Sequence, residues 1–158
     1  MTRALITAAM LLFAAIAHGA DAAPWGHAKP VDYPYQPEKV VFDVTTGDPA
    51  EINSVLDRVS ALDKIYGADP FQESIVVLIH GSAIPFFAIQ AFPEYRTLVT
   101  RAQSLTANGT IEFRLCQMAA KARYGLAPKD IHGFIKMVPN GDAELIRLQR
   151  REGYAYMH

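Results

Sequence analysis

Cys116 is the one cysteine in this 158-residue sequence. It closes an apolar run, Ile111 to Leu115, that reads as a strand, and a short helix over Gln117 to Tyr124 is expected directly after it. The first N–H groups of a helix have no partners inside the helix, and they favour a thiolate over a thiol. A thiol of ordinary pKa, near 8.5, is only about 3% thiolate at pH 7, and lowering it by about 1.5 pH units makes it about half thiolate. That change needs about 2 kcal/mol, within reach of a helix end combined with an imidazolium. His80 follows a second apolar run, Ile75 to Ile79, and would supply the imidazole if the two strands are neighbours. The chemistry implied is nucleophilic sulfur chemistry. The competing reading is a small apolar side chain packed between strand and helix, a common fate of free cysteines. Both readings stay open on the residues alone.

Other polar residues share the same expected rim. In a parallel sheet every loop leaving a strand's carboxyl end opens on one side, which is where ligands bind in open α/β folds. That places Thr46, Gly47 and Asp48 after the first strand, and Gly81 and Ser82 after the second, as candidate ligand-binding residues. The stretch Thr45-Thr46-Gly47-Asp48-Pro49 is too poor in glycine to cradle phosphate and also suits a turn and helix cap. Ser82 beside His80 does not make a hydrolase pair, because no G-x-S-x-G elbow surrounds it. No H-x-x-x-H or C-x-x-C spacing exists, so neither a metal centre nor a cofactor is expected. His132 precedes the fourth strand, on the opposite rim, and reads as a surface or capping histidine.

The elements that must position these residues alternate between short apolar runs and helix-period segments, the pattern of βαβ units on a parallel sheet. Val40 to Val44 opens the series. Asp48-Pro49 then starts a helix with Ile52, Val55, Leu56, Val59, Leu62 and Ile65 at helical spacing, stopped by Gly67. The run Ile75 to Ile79 is apolar on both faces, as a central strand must be. A long apolar connection, Gly81 to Glu94, is read either as a short helix folded on the core or as a subunit contact through Phe86 and Phe87. A helix from about Tyr95 to Leu105, a strand over Phe134 to Val138, a helix over Asp142 to Arg151 and a final strand at Tyr154 to Tyr156 complete the series.

Ahead of this domain, residues 1–22 combine Arg3, an apolar run from Ala4 to Ala17 and small residues ending Ala20-Asp21-Ala22, the anatomy of a cleavable secretory signal peptide. The run is too short for a stable membrane span. A periplasmic location follows as the expectation. Residues 23–37, with Pro24, Pro30, Pro34 and Pro37, suit an extended lead segment, leaving residues 38–158 for the domain. The formal net charge of −1, spread along the chain, offers no basic stripe for nucleic acid. An exported chain usually pairs its cysteines, and one cysteine cannot pair within the chain.

From Lys39 to Tyr156 the sequence resembles the small exported members of the DsrE/DsrF-like family. The resemblance rests on the order and spacing of several pieces. They are Thr46-Gly47-Asp48-Pro49, the strand Ile75 to Ile79 running into His80-Gly81, and Glu112-Phe113-Arg114-Leu115-Cys116. They continue with Ala119, Gly125-Leu126, Asp130, Val138-Pro139-Asn140-Gly141, Ile146-Arg147-Leu148-Gln149 and Gly153-Tyr154-Ala155-Tyr156. The resemblance implies a three-layer α/β/α sandwich on a mainly parallel five-stranded sheet, assembled as a trimer or hexamer. It also implies a sulfur carrier, with Cys116 holding a persulfide exchanged with a donor or acceptor protein and His80 supporting the thiolate. The alternative is a non-catalytic oligomeric binding module in which the cysteine is structural.

Overall fold

The computed structural model describes residues 25–158. Residues 1–22, expected from the sequence to be a signal peptide, lie outside the described residues. Residues 26–38 contain neither helix nor strand. Residues 25–33 belong to a unit separate from Pro34–His158, and the account below concerns the latter.

Five strands and four α-helices alternate in order: β1 (Lys39–Val44), α1 (Pro49–Tyr66), β2 (Ser74–Ile79), α2 (Phe92–Leu105), β3 (Ile111–Cys116), α3 (Gln117–Tyr124), β4 (Ile135–Val138), α4 (Gly141–Arg151) and β5 (Ala155–Met157). The strands form one sheet in the order β4-β3-β2-β1-β5, every pairing parallel. The first three crossovers each step to the next strand in the same direction, and right-handed connection therefore puts α1, α2 and α3 on one face. The last crossover leaps from β4 at one edge to β5 at the other, which sends α4 to the opposite face. The result is a three-layer α/β/α sandwich with three helices against one.

The sheet's side chains sort accordingly. Val40, Phe42, Val44, Ile75, Val77, Ile79, Ile111, Phe113 and Leu115 face the three-helix layer with Ile52, Leu56, Val59, Leu98 and Ala120. Val41, Val76 and Leu78 face α4 and pack with Leu148 and Tyr154. A single helix cannot cover five strands, and the α4 side of β3 is polar. There Arg114 pairs with Glu112 and Glu144, Arg147 also pairs with Glu144, and Lys136 pairs with Glu112. This network fastens α4 to β3.

The helix ends follow sequence signals. Asp48 caps α1, its carboxylate accepting from the Ala50 N–H at 2.8 Å, with Pro49 in the first turn. Gly67 ends α1 in the left-handed conformation, φ 94°. Asn140 caps α4 by accepting from the Ala143 N–H at 2.8 Å.

The long connection after β2 forms two short 3₁₀ segments, Gly81–Phe87 and Ile89–Ala91, folded on the core. Phe86 meets Tyr95 edge-on at 4.7 Å between ring centres, and Phe87 lies 6.3 Å from Phe113. Both phenylalanines are buried, so the contact role considered for them is corrected: their apolar surface is spent inside the domain. The following helix starts three residues before the expected Tyr95, at Phe92, and kinks at Tyr95. Among the described residues no helix is long and apolar enough to cross a membrane.

Candidate functional site

The carboxyl ends of β1 to β4 bring Asp43, His80, Cys116 and the turn Pro139-Asn140-Gly141 to one rim. Cys116 is both the last residue of β3 and the N-cap of α3, and its side chain replaces the usual Ser or Asp as acceptor. Its Sγ accepts from the Ala119 N–H at 3.4 Å and from the Gly141 N–H at 3.2 Å. Gly141 is the first residue of α4. One sulfur therefore takes backbone donors from the starts of two helices, both of whose dipoles favour negative charge there.

His80 follows β2 in extended conformation and leads into the 3₁₀ segment. Its Nε2 is bonded to Asp43 Oδ1, and the second carboxylate oxygen of Asp43 accepts from the Tyr156 hydroxyl of β5 at 2.9 Å. The hydrogen bond to Asp43 holds His80 above its ordinary pKa, against a smaller opposing effect of burial. The charges of Asp43 and Asp142 add to the rise. Burial alone would push Asp43 up, but the bond and charge of His80, together with Tyr156, outweigh it and hold the carboxyl below the usual range. Tyr156 is raised in turn, chiefly by its bond to Asp43.

Gly141 sets the spacing between the two candidate residues. A methyl group on its Cα would lie 3.3 Å from Cys116 Cβ and 3.4 Å from both Cγ and Nδ1 of His80, tighter than ordinary packing at the first and at the limit for the others. The histidine ring and the cysteine thus flank one glycine whose missing side chain leaves room for both. Gly81 is constrained as well. At φ 59° it occupies the left-handed region, and a Cβ there would meet Thr45 O at 3.2 Å. Its carbonyl accepts from the Tyr124 hydroxyl at 3.0 Å, tying α3 to the loop that carries His80.

Above these residues opens a cavity of about 360 Å³. His80, Gly81 and Cys116 line it with the α3 residues Met118, Ala119, Ala122 and Arg123, and with Asn140, Gly141 and Asp142 from the start of α4. Cys116 itself is 4% exposed, so a reactant must enter the cavity to reach it.

Of the residues proposed from sequence, the structure brings Cys116, His80 and Gly81 to this cavity. Thr46 lines a separate, smaller cavity of about 120 Å³ with Asp43, Glu51 and His158. Its hydroxyl donates to Glu51 and accepts from the Asp48 N–H at 3.0 Å. Asp48 is occupied as the α1 cap. Gly47 packs close to Ser82, whose N–H donates to Thr45 O at 3.0 Å. These four residues join the first two loops rather than line the cavity over the sulfur. To the residues expected from the sequence the structure adds Asp43, Gly141, Asn140, Arg123 and Asp142. Asp43 did carry a signal, an acid inside the apolar run Val-Val-Phe-Asp-Val, and the turn Pro139-Asn140-Gly141 stood among the markers of resemblance.

Comparisons with known proteins agree with the fold. A solved protein of unknown function from Methanobacterium thermoautotrophicum aligns with a TM-score of 0.60 at 22% identity, covering 76% of this chain and 97% of its own. No curated protein sequence matches. The model of the DsrE/DsrF-like family matches residues 39–158, the whole of the sheet and its helices together with the cavity, and the chain belongs to that family.

Proposed function

We propose that this protein is an exported carrier of sulfane sulfur that binds it as a persulfide on Cys116. The observation that carries the proposal is the double donation to Cys116 Sγ from the Ala119 and Gly141 N–H groups at the floor of an open cavity that His80 also lines. Such an arrangement stabilises the attacking thiolate and, after transfer, the bound sulfur. The thiolate attacks the outer sulfur of a donor R–S–SH, the donor's S–S bond breaks, and the products are Cys116–S–SH and R–S⁻. No oxidant or reductant is consumed. His80, kept basic by Asp43, is placed on the cavity to give a proton to the departing thiolate. Transfer onward repeats the step with the acceptor's thiolate as attacker. Export rests on the leader over residues 1–22, which directs the chain to the periplasm. Family membership supports assembly of several copies, as a trimer or hexamer, and exchange with a donor or acceptor protein.

The test is the pH dependence of Cys116 alkylation in the folded protein, run beside His80→Ala, followed by mass spectrometry after exposure to a persulfide donor. We expect alkylation in the native state, slowing about tenfold at pH 7 in His80→Ala, and a mass gain of one sulfur atom that Cys116→Ser abolishes. The low exposure of Cys116 favours one second reading, a binding module in which the cysteine only packs. A thiol that reacts only after unfolding would establish that reading instead.

A further inference from the structure

The cavity over Cys116 carries two charges that the sulfur step does not use. Arg123 lines it from the last turn of α3 and Asp142 from the first turn of α4. Each suits the dipole of its own helix, but the dipole does not require both to open on one cavity. Among the described residues, neither Arg123 nor Asp142 forms a salt bridge. Asp142 is near enough to His80 for its charge to be felt there. The same cavity has apolar lining from Met118, Ala119 and Ala122. A volume of about 360 Å³ falls at the low end for small-molecule sites, room for a metabolite of amino-acid to short-peptide size.

We propose that this cavity selects a small zwitterionic persulfide as sulfur donor, with Arg123 receiving its carboxylate, Asp142 its ammonium, and Ala119 and Ala122 the carbon skeleton. The inference deepens the carrier reading and rests on it. The sulfur step keeps its balance: Cys116 thiolate takes the outer sulfur, the donor's S–S bond breaks, and the zwitterionic thiolate leaves after gaining a proton from His80. A donor with both groups can make an ion pair with each charge, and a donor that lacks either group makes only one.

The full exported chain is loaded with three persulfides made in solution from the matching disulfide and sulfide: those of cysteine, which bears both charges, of mercaptopropionate, which lacks the ammonium, and of cysteamine, which lacks the carboxylate. Initial loading of Cys116 is read by mass spectrometry. We expect the cysteine donor to lead each of the others by about fivefold, the worth of one partly exposed ion pair. Arg123→Gln should erase the lead over the cysteamine donor and keep the lead over mercaptopropionate, and Asp142→Asn should do the reverse. Because each readout is a ratio between donors, a general change in thiol reactivity through His80 cancels. Equal loading from all three donors in the unaltered protein, or variants that slow every donor alike, overturns the zwitterion proposal and leaves the carrier reading standing. No loading from any donor overturns the carrier reading itself.

Discussion

The two rims of the sheet treat buried ionisable groups in opposite ways. At the carboxyl rim, His80 and Asp43 each favour the other's charged form, and two backbone N–H groups donate to the Cys116 sulfur. At the amino rim, charge is suppressed. Glu73, only 4% exposed and just ahead of β2, has both carboxylate oxygens buried without a donor. Burial, followed by the charge of neighbouring Asp63, pushes it up to about 7. His132, beside β4, is packed against Phe92 at 5.4 Å and Phe134 at 6.2 Å between ring centres, with its Nε2 buried and unpaired, and burial lowers its pKa. The expected surface role of His132 is thereby replaced by a half-buried aromatic one. One rim shifts its buried ionisable groups toward their charged forms, and the other shifts them toward their neutral forms.

That contrast can be broken most sharply at Gly141. Gly141→Ala drives a methyl against Cys116 and His80, and overpacking of this kind costs about 1–3 kcal/mol. We expect a lower midpoint in chemical denaturation together with more than tenfold slower alkylation of Cys116, whereas Gly133→Ala at the amino rim, where a Cβ meets nothing, should leave alkylation unchanged.

Glu73→Gln probes the amino rim. The folded pKa of Glu73 is raised, so its favourable contribution is complete below the unfolded value near 4.5 and is lost as pH rises through about 7. The glutamine variant never ionises and is expected to gain about 2–3 kcal/mol over the unaltered protein at pH 8 and little at pH 4, as measured by urea denaturation. An unchanged difference across that range would mean that Glu73 is ionised in the fold.

Asp43→Asn sharpens the carboxyl rim. His80 is raised mainly by its bond to Asp43, so its contribution to stability is present below the unfolded value near 6.5 and is lost as pH rises through the folded one. Without the carboxylate, burial opposes the imidazolium with only Asp142 left in its favour. The His80 imidazole, followed by nuclear magnetic resonance, is then expected to titrate at lower pH than in the unaltered protein. The smallest expected effect belongs to Tyr156→Phe, which removes one hydrogen bond from Asp43, about 1 kcal/mol in thermal or chemical unfolding, and lets Asp43 titrate at higher pH.

Much of this was legible in the residues before folding. The two-sided apolar run Ile75–Ile79, the Asp48-Pro49 helix start and the Gly67 stop each act within a few residues, and each appears where local chemistry places it. The Phe86-Phe87 segment was not decidable, because an apolar stretch reads the same whether it covers its own core or a partner's. Thr46 and Asp48 sat on the right rim, yet capping and the bond to Glu51 absorbed them. The place of Asp43 is not legible locally, because its partners His80 and Tyr156 lie 37 and 113 positions away.

The sequence by itself determined the alternation of strands and helices, the parallel sheet with its loops gathered at the carboxyl rim, and the candidacy of Cys116 at a strand end that opens a helix. Those features follow from period, turn chemistry and handedness, which are local or universal. Only the tertiary structure decided that the crossover from β4 to β5 would pass over the sheet's other face and bring the first N–H of α4 onto the same sulfur. It also decided that Gly141 would stand between Cys116 and His80 and that Asp43 would lock the imidazole. Such contacts join residues far apart in the chain, and no local pattern specifies them until packing fixes their distances.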